Sequence, residues 1–187
     1  SESTLDRVEL TDNVSTGWGG AVYASGGDVT LTHLWAEGNQ VGTSGVIATF
    51  DAEATLTNSV IVNNSVAPGG NYVVGTGEGL TYNNVIAGNL TSGGDSSVKN
   101  VALASYGLVY NNIVIDNDGY GFYCAGGTFE YNLAHGNGSD DFANEPSCGV
   151  VNLQSDPLFV YSAAGDFALE SLSPAVDAGN PASGYND

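Results

Sequence analysis

A nine-residue stretch, Leu56-Thr-Asn-Ser-Val-Ile-Val-Asn-Asn64, recurs along the chain in recognisable variants. Related rungs run from Leu5 to Asn13, Leu31 to Asn39, Leu80 to Asn89, Leu108 to Asn117 and Phe129 to Asn137. Their first residues fall at 5, 31, 56, 80, 108 and 129, so the steps are 26, 25, 24, 28 and 21. Self-similarity at a period of about 25 residues with strand-like content is the signature of a solenoid.

Each period repeats one grammar. A Gly-rich approach leads into a short strand, as in Gly19-Gly-Ala-Val-Tyr-Ala24 and Ser44-Gly-Val-Ile-Ala-Thr-Phe50. A turn, the Leu-x-apolar strand, an asparagine corner and an apolar run ending in Gly-Asn or Asn-Asn follow. Alternation predicts one inward face formed by Val29 and Leu31, Leu80 and Tyr82, Leu108 and Tyr110, and Phe129 and Tyr131. One coil cannot bury that face alone, but stacked coils bury it continuously and pair each strand in parallel with its equivalent. Crossovers between parallel strands are right-handed in nearly all cases. The predicted fold is therefore all-β: a right-handed parallel β-helix of about seven coils with three short strands each, over residues 1–155. Residues 156–187 are predicted to be a C-terminal capping segment. A β-sandwich also has strands every 8–12 residues, roughly, but does not require the longer repeat.

The asparagines follow from this geometry. Asn13, Asn39, Asn64, Asn89, Asn117 and Asn137 close successive rungs, and Asn58, Asn84 and Asn112 are assigned to an inner corner, with His33 in that place one coil earlier. Asn accepts left-handed backbone at turns, and stacked amides hydrogen-bond along a column. The expectation is a structural ladder. Tyr82, Tyr110 and Tyr131 are expected to match in three consecutive coils, either as an inward aromatic stack or as an exposed sugar-stacking track; Leu or Phe two residues before each favours the first. Cys124 and Cys148 are 24 residues apart, one period. Equivalent residues of stacked coils lie about 4.8 Å apart, within reach of a disulfide, and a disulfide implies an oxidising compartment.

Charge excludes several function classes. The chain of 187 residues has 21 acidic side chains and 2 basic ones, Arg7 and Lys99, for a net charge of −19. Nothing is available to neutralise phosphates, so nucleic acid and anionic membrane surfaces are not expected partners. No stretch approaches the ~20 apolar residues of a membrane helix. The chain opens directly into a rung with no signal peptide and no cap before Leu5. This is the pattern expected of a mature protein or a piece of a longer one, whose open edge is a template for pairing with copies of itself end to end.

Catalytic chemistry is sparse. Arg7 and Lys99 are too far apart along the solenoid to neutralise a uronate together. Asp140 and Asp141 near His135 form the one acid–base constellation, against the simpler reading of a solvated turn. Calcium is the one cofactor considered: Asp116-Asn-Asp118-Gly has the oxygen spacing that opens a calcium loop but lacks the distal Glu. Asp95, Asp140 or Asp141 would have to complete such a site, and an ordinary Asx turn is the competing reading.

The last segment carries a more specific pattern: Asp156-Pro-Leu-Phe159, then Gly165-Asp-Phe-Ala-Leu169, then Ser173-Pro-Ala-Val-Asp-Ala-Gly179. It resembles the closing segment of bacterial secreted right-handed β-helix repeat proteins and is similar in particular to the surface-anchored choice-of-anchor Q domain group. The resemblance implies export and an extracellular or cell-surface setting. The function expected is a non-catalytic β-helix acting as a spacer, adhesin segment or self-assembling subunit. The alternative is a β-helix that binds or degrades polysaccharide, with an extracellular glycan as partner.

Overall fold

The computed structural model describes residues 1–91, 101–124, 126–143, 148–149 and 151–181. Lys99 and Asp95 lie outside them. The described chain is a parallel β-solenoid with three sheets running along its axis. The first sheet has ten strands, built on the long strands Val22–Thr32 and Ile47–Thr57. The second has seven, from Glu9–Thr11 through Trp35–Glu37, Val60–Val62, Val85–Ala87, Ile113–Ile115 and Leu133–His135 to Leu153–Gln154. The third has four: Val14–Ser15, Gln40–Val41, Ser65–Val66 and Leu90–Thr91. Pairing in these three sheets is parallel, and Trp35, Val60, Val85, Ile113 and Leu133 are successive partners in the second.

About four coils thus carry all three sheets, fewer than the seven expected. The third sheet stops where the coil shortens. Asp118 Oδ1 accepts hydrogen bonds from the backbone N–H and, at 2.7 Å, the hydroxyl of Thr91 in the preceding coil, so a side chain occupies the place of a fifth strand.

The core is a set of columns, one residue per coil. Leu31, Leu56, Thr81, Val109 and Phe129 form one such inward column, each at most 1% exposed. This corrects the frame read from sequence. Leu80 pairs with Thr55 and Leu108 with Leu80, on the outer face, because the alignment of those two rungs on Leu slips by one residue and a one-residue slip reverses faces. Thr81 tolerates the inward place because its hydroxyl meets that of Thr76 at 2.9 Å. Tyr82 and Tyr110 are consequently half-buried on the outside rather than stacked inside, and Tyr110 is followed in register by Glu130, not Tyr131.

Two corners turn the chain by one left-handed residue each. At the first, Arg7, His33, Asn58, Asn83, Asn111 and Tyr131 have φ between 50° and 58°. Asn58 and His33 therefore stand at the turn itself and not in the inner column assigned to them; the inner place one residue later holds Leu34, Ser59, Asn84, Asn112, Asn132 and Asn152. At the second corner Asp12, Gly38, Asn63, Gly88, Asp116 and Gly136 alternate between a short polar side chain and none. Coils lie so close that a Cβ on Gly136 would meet Asp116 Oδ1 at 2.7 Å, so every other coil must omit it.

From Asp156 the chain does not simply close the end of the stack. It runs back along the outer face of the second sheet, where Phe159 and Phe167 pack edge to face at 5.2 Å and Phe167 reaches Trp35 of the second coil at 6.3 Å. Gly179 and Asn180 return to Asn111, whose Oδ1 accepts the Asn180 N–H at 2.7 Å. The runs Val60-Ile-Val62, Val85-Ile-Ala87 and Ile113-Val-Ile115 explain this: they are apolar on both faces, so the outward residues need a cover as well.

Candidate binding groove

The sequence-derived candidates have definite places in this frame. Asn39, Asn64, Asn89, Asn117 and Asn137 form one ladder with Asn13 at its start. Each side-chain oxygen accepts two bonds from the asparagine one coil before, from its N–H and its Nδ2, as Asn89 Oδ1 does from Asn64 at 2.9 and 3.0 Å. The remaining Nδ2 proton goes to a carbonyl of the preceding coil, Ile61 O for Asn89. From Asn39 to Asn137 these amides are buried and hydrogen-bonded on both sides, which leaves them no capacity for a ligand.

Asp141 belongs to this ladder. Its Oδ1 accepts from Asn137 Nδ2 at 2.8 Å, and its carbonyl accepts from the Phe122 N–H at 2.9 Å. Asp140 and His135 are exposed, so of these three residues Asp141 alone is bonded into the column. Asp116 and Asp118 lean toward opposite coils, Asp116 over Gly136 of the next and Asp118 onto Thr91 of the one before. Burial raises the Asp116 carboxyl above its ordinary value, His135 lowers it, and Asp156 and Asp141 raise it further. Among the described residues no three His, Cys, Asp or Glu side chains converge as metal ligands do. Cys124 and Cys148 form a disulfide with Cα atoms 5.1 Å apart, closing a 24-residue separation that contributes about 3 kcal/mol on the chain-entropy model.

A different feature offers an accessible surface. On the outer face of the first sheet, Tyr23, Ala48, Gly75, Ala104 and Tyr123 are successive partners across five coils. Of the three small residues between the two tyrosines, Ala48 is fully buried, whereas Gly75 and Ala104 line a groove of about 620 Å³. The Tyr72 ring lies on Gly75, where any Cβ would overlap it. Phe50 and Tyr106 stand in the adjoining outward positions, and Tyr106 is 66% exposed. Trp18 and Tyr23 extend the aromatic surface past Phe50, at centroid distances of 4.8 and 6.0 Å. Asp51, Glu53 and Glu78 line the turn side of the groove, and no Lys, Arg or His lines it among the described residues. Burial, and then the neighbouring Tyr106 and Tyr23 phenols, push the Tyr72 hydroxyl up to about 12, so it remains a protonated donor throughout the neutral range.

Sequence reasoning missed this groove. Its signal was present as glycine and alanine at outward strand positions, where a side chain is absent because something approaches closely.

A family model described as a right-handed β-helix region matches residues 1–162. The chain belongs to the right-handed β-helix family. No curated protein matches it, and no solved structure does. In this β-helix no described helix is long and apolar enough to cross a membrane.

Proposed function

We propose that this β-helix is a non-catalytic, extracellular glycan-binding protein of adhesin type, and that the groove lined by Phe50, Tyr72, Gly75, Ala104 and Tyr106 is its binding site. The observation that carries the reading is an open groove of about 620 Å³ lined by the rings of Phe50, Tyr72, Tyr106 and Tyr123 beside the carboxylates of Asp51, Glu53 and Glu78. Pyranose rings present flat C–H faces that pack on aromatic side chains, and hydroxyls that accept hydrogen bonds from phenols and donate them to carboxylates. The solenoid supplies rigidity, so such a surface binds without ordering loops. The disulfide fits an oxidising, non-cytoplasmic setting, as the resemblance of the closing segment also suggests.

Binding without turnover is favoured by the placement of the carboxylates. Glu53 and Glu78 stand side by side, with Ala54 N–H bonded to Glu78 O at 3.1 Å, so both meet a bound chain from one side. Glycoside hydrolysis needs carboxyl groups that flank the bond. The test is a glycan array followed by titration calorimetry on the hits, with reducing-sugar and unsaturated-product assays run in parallel. Retained glycans that lose affinity in Tyr106→Ala, with no product formed, support the proposal. An array with no hits, or steady product release, refutes it.

A further inference from the structure

We infer that the groove selects glycans that carry free amino groups, hexosamine oligomers without N-acetyl caps, over neutral and uronate chains. This rests on the glycan-binding reading above and specifies its ligand.

The argument begins with a column of like charge. Asp28 pairs in register with Glu53, and Glu78 stands one coil further on, beside Glu53, since Gly79 pairs with Ala54. Glu2 pairs in turn with Asp28, so four consecutive coils place a carboxylate in one outward column, at the ~4.8 Å spacing of adjacent strands. Like charges directly opposite each other on paired strands are destabilising, and stacked folds ordinarily avoid them. The ion pairs among the described residues are Arg7 with Asp6 and His33 with Asp6, both remote from the column. The repulsion is not compensated by a cation within the described chain.

The column also lies where a ligand would. Glu53 and Glu78, with Asp51, line the groove together with Gly75, Ala104 and the rings of Phe50, Tyr72 and Tyr106. A single metal ion does not fit this arrangement, because the carboxylates are strung out one per coil and do not converge. An amino sugar does fit. An ammonium would lie against the Glu53 and Glu78 carboxylates while its ring packed on the aromatic side chains of the groove, and a cation over Tyr or Phe adds attraction of its own. The net charge of −19 extends the same preference to long range, drawing cations and repelling uronates.

The test compares affinities, by calorimetry on the full chain, for a β-1,4-linked glucosamine hexamer, its fully N-acetylated counterpart, a hexagalacturonate and an open-chain tetraamine. Two double variants remove the same charge: Glu53→Gln with Glu78→Gln in the groove, and Glu9→Gln with Glu170→Gln, both exposed and outside the groove and the column. The expected result is that the glucosamine hexamer binds tightest and weakens about tenfold in the groove variant but little in the control. Added salt should reduce that affinity, and Tyr106→Ala should weaken the hexamer more than the tetraamine. Equal affinity for the N-acetylated hexamer overturns the amine inference while leaving the groove as a glycan site. Equal losses in both double variants overturn it as well, since net charge alone would then account for binding. Binding of the tetraamine with no advantage for any sugar, or of none of the four, overturns both readings.

Discussion

Asp141 Oδ1 accepts hydrogen bonds from Asn137 Nδ2 at 2.8 Å and from the Asn137 backbone N–H at 3.3 Å. In the coils before, the same two donors point at the asparagine oxygen of the next coil, as Asn117 points at Asn137 Oδ1. Here that oxygen comes from a residue four positions later in the same turn. Asp141→Asn keeps it and is expected to leave stability within ~0.5 kcal/mol of the parent, whereas Asp141→Ala leaves two donors of Asn137 without it and should destabilise by about 1–3 kcal/mol. Urea unfolding of both variants measures this, and an Ala variant as stable as the Asn variant would remove Asp141 from the ladder.

The interior of the ladder should be far less tolerant than its ends. Asn89 is fully buried, and its Oδ1 takes both Asn64 donors. Asn89→Ala strands those two donors and frees the Ile61 and Asn117 acceptors, for an expected loss of about 3–5 kcal/mol. Asn13 is exposed at the first coil and accepts from no asparagine before it in the described chain. Asn13→Ala should lose about 1 kcal/mol or less. Thermal melts of the two single variants give the ratio, and comparable losses would mean the columns are not what orders the coils.

The period was readable from sequence because stacked coils force equivalent residues to recur, and Asn64 over Asn89 is a consequence of that rule. The exact register was not. Leu80 and Leu108 look like core residues, but Thr81, its hydroxyl matched by Thr76, sits inside in place of the first and Val109 in place of the second. The inner column was half-visible for a related reason: Asn83-Asn84 and Asn111-Asn112 each supply one turn residue and one ladder residue, and composition does not distinguish them. Ser59 and Asn132 were missed because a hydroxyl replaces the amide in one coil and a shortened coil displaces the other. The groove depends on which outward residues share a column, which a slip of one residue rearranges completely.

The closing segment should act as a side cover rather than an end plug. Phe167 is half-buried against Phe159 and Trp35. Phe167→Ala should cost about 1–2 kcal/mol, below the full cost of a buried Phe because the ring is only partly enclosed. Limited proteolysis should then release fragments cut between 156 and 181 before any cut within the coils. Glycan affinity at the groove, on a different sheet, should stay unchanged. Early cleavage within the coils instead would place the segment's main role at the end of the stack.

Asp116 gives the β-helix a pH dependence whose sign can be stated. Its carboxyl is raised from 3.8, first by burial, then by Asp156 and Asp141, with His135 opposing. A raised folded-state pKa means the native protein holds this proton more tightly than the unfolded chain does. Stability from this group is therefore fullest in acid, begins to fall as pH rises past 3.8, and levels off above the raised value. The corner itself does not need the charge, because Asn63 occupies the same left-handed position two coils earlier. Asp116→Asn should thus match or exceed the parent at pH 7 and lose that advantage toward pH 4. Chemical denaturation of both proteins across pH 3–8 reads the difference. A variant that is less stable than the parent at pH 7, and more so as pH rises, would show that ionised Asp116 has a stabilising partner at this corner.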